Sequence, residues 1–408
     1  MNGIPPNDED DVVAAFNSKH FGRIRSVRLD VTGPQLERIA PTMQEPFPAL
    51  TCLHLRTSEV GNVPELPAKF LGGSAPSLQE VSLYGIPYPT LPTLLGSASS
   101  LVELDLRNIP RNGHISPESL AVGLVALPRL EIFILGFQSH PHPSPILPPP
   151  VTPSPIIPPP VTPAVQALLS LTYFEFKGAS EYLEDLVSRL QGPALEHILI
   201  TYLNQLIDYK VPYLSKFIHR SVAPEIILCK YAKVTFSGHE ASFAIYPHAN
   251  HPSDWGHART IIECEGIDWQ VYHMAQVLRQ IFARKPLKAS QPTLFNVVHL
   301  KLEVEPESHR INDADDDIDW PTLLHQFPTA RTLHVSQELA GHIALVLDSV
   351  PESMAAEVLP SLNLICLAGQ PASSVEKFAS ARRFSDQPVT VVNTERVFDE
   401  RLEAFVSE

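Results

Sequence analysis

A short apolar motif of the form L-x-x-L-x-L recurs ten times along this chain and limits its possible folds more than any other feature. The copies start at Ile24, Leu50, Leu78, Leu101, Leu130, Leu171, Leu195, Val297, Ala330 and Leu362. Successive starts are therefore 26, 28, 23, 29, 41, 24, 102, 33 and 32 residues apart. Most of these intervals hold one short strand and one helix, and a unit of that size cannot cover its own apolar face. Neighbouring units must cover it, so the pattern predicts a stacked array.

Within each copy the last two apolar residues alternate with other positions, as in Leu53 and Leu55 or Leu104 and Leu106, which is the period of a half-buried strand. Helical signals lie between the copies. In residues 116–127, Ser116 is placed to cap, Pro117 suits the first helical position, and Leu120, Leu124 and Leu127 form a stripe. In residues 180–193, Ser180 is the expected cap, Leu183, Leu186, Val187 and Leu190 share a face, and Gly192-Pro193 ends the helix. Pro48, Pro76, Pro128, Pro328 and Pro360 each stand two residues before a motif start, where no helix can run through.

The predicted fold is α/β: a leucine-rich-repeat solenoid with a parallel strand stack on its concave side, helices outside, an irregular middle and a C-terminal capping segment. Residues 1–22 read as an acidic tail with a capping helix, 23–392 as the solenoid, and 393–408 as the closing helix. Within the solenoid, residues 223–290 read as degenerate repeats, including a hairpin around Ser237-Gly238-His239. The Asn or Cys usual beyond the last strand leucine is absent, with Ser58, Ile86 and Ile109 in its place.

The 41 prolines are about twice the usual share. Part of the excess is a loop at 138–163, where PSPILPPPVT at 143–152 repeats as PSPIIPPPVT at 153–162. This composition favours extended polyproline.

A net charge of -15 without a basic block disfavours nucleic acid or an anionic membrane as partner and leaves a protein. Asp8, Glu9, Asp10 and Asp11 occupy the start, where a secretory signal would be basic and then apolar. Cys52, Cys229, Cys264 and Cys366 form no CxxC pair, so a reducing, cytoplasmic or nuclear setting is expected.

No phosphate loop, nucleophile elbow or HExxH helix occurs, so the expectation is a non-enzymatic chain without cofactor or metal. The acidic run at 313–319 has Ile318 where a calcium loop needs glycine. His239, His248, His251 and His257 with Cys264 are the densest set of nitrogen and sulfur ligands, at spacings that fit no standard zinc pattern.

Candidate binding residues follow from strand alternation, because residues between the inward leucines face the concave surface. They are acidic at Glu80, Glu103 and Asp105, with Ser82 and Arg107 beside them. Ile132, Ile134 and Tyr173 add an apolar stretch, followed by Glu175. Such a face suits a protein with a basic rim and a hydrophobic anchor.

Several segments carry a family resemblance: VTGPQLER at 31–38, MQEPFPAL at 43–50, FLGGSAP at 70–76, LDLRNIP at 104–110, EYLED at 181–185, DWQV at 268–271 and EVLPSL at 357–362. With these the chain resembles the leucine-rich-repeat region of fungal F-box-like proteins. The resemblance implies the target-recruiting arm of a ubiquitin ligase, whose F-box grips a cullin adaptor. The 23 residues ahead of Ile24 are too few for an F-box, and the faintly similar segment 63–67 lies between repeats, so the adaptor is expected only if an F-box is supplied elsewhere. Two alternatives stay open: a zinc-dependent enzyme built on the His239 to Cys264 region, and a truncated F-box protein with no ligase role.

Overall fold

The computed structural model of the chain describes residues 13–14, 16, 21–57, 59, 63–138, 166–192, 194–203, 211–221, 229–247, 257–282, 297–305, 318–355 and 357–393. The proline-rich insert beyond Gln138, most of the N-terminal tail, His248, His251, residues 313–317 and the expected closing helix after Asn393 lie outside them. The chain is α/β and divides into two compact units: residues 1–204 with 211–223, and residues 205–210 with 224–408.

The strands of the first unit are β1 (Ser26–Asp30), β2 (Cys52–Arg56), β3 (Glu80–Tyr84), β4 (Glu103–Ile109), β5 (Ile132–Phe137), β6 (Gln166–Ala167), β7 (Tyr173–Gly178), β8 (Leu190–Gln191) and β9 (His197–Leu203). Seven of them form one parallel sheet in the order β1, β2, β3, β4, β5, β7, β9, and the short β6 and β8 pair apart from it. The helices are α1 (Gly33–Ile39), α2 (Leu91–Leu95), α3 (Pro117–Val125), α4 (Ser180–Ser188) and α5 (Pro212–Ser221). From α2 to α5 each helix packs on the next.

The repeat is visible in its hydrogen bonds. The N–H groups of Thr51 and Cys52 both donate to Arg25 C=O, those of Gln79 and Glu80 to Thr51 C=O, and those of Val102 and Glu103 to Gln79 C=O. Strands β2, β3, β4, β5, β7 and β9 thus each enter the sheet through one carbonyl that accepts two donors. The prolines before the strands sit at the second position of a turn closed by Leu50 N–H to Phe47 C=O (3.1 Å), Leu78 to Ala75 (3.2 Å) and Leu130 to Leu127 (3.3 Å). Fixed proline φ prearranges such a turn.

A hydroxyl ladder joins successive turns. Ser77 Oγ donates to Pro48 C=O (2.8 Å), Ser170 Oγ to Pro128 C=O (2.9 Å) and, in the second unit, Ser361 Oγ to Pro328 C=O (2.9 Å). It stands in a chain that lacks the expected Asn or Cys. Gly85 allows the sharp exit from β3: its φ is +71°, and a Cβ there would meet Thr57 O at 2.7 Å.

The motif leucines Leu50, Leu78, Leu101, Leu104 and Leu106 are buried under the helices. Phe174 of β7 meets Phe217 of α5 with ring centroids 5.6 Å apart. At the N-terminal end Phe16, in a helical stretch, packs edge-on against Phe47 (5.9 Å). Helix α3 is capped as its sequence predicts, with Ser116 accepting from Ser119 N–H. Helix α4 is not: Ala179 takes the extended cap conformation, and Ser180, one residue inside, directs its hydroxyl at Glu181.

The second unit holds β10 (Tyr231–Phe236), β11 (Glu240–Tyr246), β12 (Ala258–Glu263), β13 (His299–Val304), β14 (Thr332–Val335), β15 (Leu364–Leu367) and β16 (Thr390–Val392). Its helices are α6 (Ile267–Phe282), α7 (Trp320–Leu324), α8 (Gln337–Ser349) and α9 (Glu376–Phe384). From β10 through β13, β14, β15 and β16 the sheet is parallel. The two-donor signature recurs: Val298 and His299 donate to Lys230 C=O, and Arg331 and Thr332 to Val298 C=O.

The expected hairpin around Ser237-Gly238-His239 is present, and the expectation of degenerate repeats is corrected at the two strands that follow that turn. Strand β10 keeps the repeat register, but β11 and β12 run antiparallel as a meander on its other edge. The turn at Ser237 to Glu240 is closed by Ser237 N–H to Glu240 C=O (2.8 Å), too short a connection for a parallel return. Of the acidic run only Ile318 and Asp319 are described, and the Asp319 carboxylate caps α7 by accepting from Thr322 N–H (3.2 Å). Among the described residues no helix is long and apolar enough to cross a membrane.

Candidate functional site

Parallel register turns isolated strand residues into rows on the sheet face opposite the helices. In the first unit one row runs Ser26, Cys52, Glu80, Glu103, Ile132, Tyr173, His197. The next runs Arg28, His54, Ser82, Asp105, Ile134, Glu175, Leu199. All nine residues expected on this face from alternation fall on one such surface.

Arg107 is the centre of that surface. Its guanidinium meets Asp105 on its own strand (3.0 Å) and reaches over β5 to Glu175 on β7 with two near-parallel bonds of 2.9 and 3.1 Å. The contact spans two strand spacings, about 9.5 Å, with β5 between. Gly136 of β5 lies between Arg107 and Lys177, where an added Cβ would stand 3.8 Å from Arg107 Cα and 3.6 Å from Lys177 Cβ, ordinary contact distances. Just past Arg107 the strand bulges between Leu106 and Ile109, with Asn108 at φ 55°. Asn tolerates that left-handed conformation, and bulges re-aim neighbouring side chains.

Tyr173 completes the group by donating its hydroxyl to Glu175 Oε2 (2.9 Å). Burial, then the Glu175 charge, pushes the Tyr173 hydroxyl well above its ordinary range, so it remains a donor. Burial works against the charge on Arg107, and Asp105 and Glu175 outweigh it, so its pKa rises. Burial raises the carboxyls of both Asp105 and Glu103; Glu103 is lifted further by Asp105 and Glu80, while Asp105 rises although Arg107 opposes the shift.

This arrangement changes the expected chemistry of the face. Asp105 and Glu175 are already bonded to Arg107, so they are not open acidic contacts. Ile134 is buried within this face, while Ile132 and Tyr173 remain partly exposed. The acidic contacts left available are Glu80 and Glu103; farther along β2 and β3 Arg56 lies over the Tyr84 ring at 4.7 Å.

The second unit carries the opposite arrangement. Glu303 on β13 accepts from Lys233 of β10, Lys301 of its own strand (2.7 Å) and Thr235 Oγ1 (3.3 Å). Burial opposes its charge, but the bonds from the two lysines prevail and hold the carboxyl below its usual range. Beside it the Tyr231 and His299 rings stack at 4.4 Å. His334 is pushed down to about 4, chiefly by burial and then by His299 and Lys301. Alternation identifies His299, Lys301 and His334 as facing residues, whereas Lys233 and Glu303 become a site only through the β10 and β13 pairing.

The His239 to Cys264 ligand set does not assemble among the described residues. His239 is exposed, with Nδ1 3.9 Å from Glu265, and the Cys264 thiol is pushed up to about 12 by burial and by Asp268. Cys52, His54 and Glu80 do come together, with one ligand atom from each within 4.8 Å of the others. A scan of the chain against protein-family models finds no match, and a search of curated proteins finds none.

Proposed function

We propose that this chain is a non-enzymatic leucine-rich-repeat scaffold that binds a protein partner through its open strand face, as the target-binding arm of an F-box ubiquitin ligase subunit does. The observation that carries this reading is the register-aligned face of the first unit, where Glu80, Glu103, Ile132 and Tyr173 stand partly exposed around the Arg107 centre. Rigid strands present these side chains at little further ordering cost, which favours recognition of a folded surface. The net charge of -15 points to a protein with a basic rim and away from nucleic acid or an anionic membrane. Four cysteines without disulfides fit a cytoplasmic or nuclear setting.

The test is affinity capture with tagged protein, comparing wild type with a Glu103→Lys, Ile132→Ser double variant that leaves Arg107 and its partners intact. Val122→Ser and Leu345→Ser, at exposed helical positions, serve as controls. A partner lost only from the strand-face variant is the expected result. Co-capture of a cullin adaptor supports the ligase arm, capture of a target alone supports a repeat-only binder, and identical capture by all variants overturns the proposal.

A further inference from the structure

Strands β2 and β3 place three different ligand types around one point. Cys52 and His54 are two residues apart on β2 and project from the same face, and Glu80 is the direct register partner of Cys52 on β3. Their Sγ, imidazole nitrogen and carboxylate oxygen lie within 4.8 Å of one another. His54 Nε2 is shielded from solvent and makes no hydrogen bond. It lies 3.6 Å from Glu80 Oε2, too far for a good hydrogen bond. Two ligands of one tetrahedral zinc ion stand about 3.3–3.6 Å apart, given Zn–N and Zn–O bonds near 2.0 Å and Zn–S near 2.3 Å.

We propose that Cys52, His54 and Glu80 form a zinc site on the open face of the first unit. Thiolate, imidazole and carboxylate together suit zinc better than calcium or magnesium, which take oxygen ligands. Small side-chain rotations close the remaining gap to bonding distance, since the His54 and Glu80 side chains are 38% and 46% exposed. The same exposure leaves a fourth coordination position to solvent. Glu103, beside Glu80 in the register, adds negative charge around the ion. Arg28 Nη2, 3.7 Å from Cys52 Sγ, is a competing cation that must yield its contact when the metal binds.

The inference does not rest on the partner-binding proposal, although Glu80 belongs to both, and it is tested on the full chain after treatment with a chelator. Titration with Co2+ should give one equivalent of binding with a thiolate-to-cobalt charge-transfer band, displaced by Zn2+. Cys52→Ser should abolish that band, and His54→Ala and Glu80→Gln should each weaken zinc binding at least about 100-fold, beyond what loss of an outer-shell partner causes. Arg28→Ala should tighten it. Glu80→Gln alters a half-exposed side chain, so its result is readable even where Cys52→Ser impairs folding. Binding without the thiolate band, binding equal in Glu80→Gln and wild type, or binding lost instead on His248→Ala with His251→Ala would overturn the proposal.

Discussion

Arg107 of the first unit and Glu303 of the second do the same structural job with the charges exchanged. Arg107 bonds two carboxylates, Asp105 and Glu175, while Glu303 bonds two ammonium groups, Lys233 and Lys301. Each lies on the face opposite the helices, on a frame in which parallel strands such as β3, β4, β13 and β14 share the same two-donor entry. The frame therefore does not dictate the chemistry of its face. Backbone bonds and motif leucines are common to both units, and the residues between the leucines are free to set charge.

The largest test of the shared frame is a pair of core truncations. Leu104→Ala and Leu300→Ala remove fully buried side chains and should each cost about 2–5 kcal/mol. Trp269 and Trp320 belong to the second unit, so tryptophan fluorescence during denaturation reads Leu300→Ala. Far-ultraviolet circular dichroism reads Leu104→Ala. A cost under about 1 kcal/mol at either site would break the equivalence.

Removing the two central charges sharpens the contrast. Glu303→Ala leaves Lys233 and Lys301 facing each other and should cost about 2–3 kcal/mol, the Glu303 side chain being only 19% exposed. Arg107→Ala should cost less, about 1–2 kcal/mol, because the Arg107 side chain is 42% exposed and solvent screens its loss. Equal costs in urea denaturation would mean that exposure does not separate the two centres.

Acid should act on the two faces in opposite directions. His334 falls from 6.5 in the unfolded chain to about 4 when folded, so between these values the unfolded state binds the extra proton. Stability of the second unit should therefore drop as pH falls through that window, by on the order of 1–2 kcal/mol, with the lowered His299 adding in the same direction. Glu303, held low, loses its contribution only as pH falls below about 4.3, the ordinary glutamate value. In the first unit Glu103 and Asp105 are raised, so protonation on folding adds stability as pH falls, partly offset by the lowered His114. A His334→Asn variant should flatten the fluorescence midpoint between pH 7 and 5. A wild-type midpoint that does not move would refute the assignment.

The smallest effect is expected from the hydroxyl ladder. Ser77→Ala should cost about 0.5 kcal/mol, since the bond to Pro48 is solvent-exposed. The equivalent Ser361→Ala should match it, and a mismatch beyond about 1 kcal/mol would show that the two ladders are not the same device.

Much of the fold was legible because its signals are local. Pro48, Pro76, Pro128, Pro328 and Pro360 mark turns closed three residues apart, and alternation around Leu53 or Leu104 specifies which side of a strand is buried. Ser180 misled because a serine at a helix start has the same sequence signature one residue inside the cap as at it. The facing residues were legible one strand at a time, but their chemistry was not. Arg107 was named beside Asp105, but that it would tie up Asp105 and Glu175 together was not readable, because its bond to Glu175 spans 68 residues of chain.

Sequence alone thus determined the repeating strand, turn and helix, since each depends on neighbours within a few residues and on a period that composition cannot hide. Tertiary structure decided the addition of β12 to the β10–β11 hairpin, the two charge-exchanged centres and the meeting of Cys52, His54 and Glu80. These depend on lateral register between strands, and a shift of one residue would turn every side chain to the opposite face.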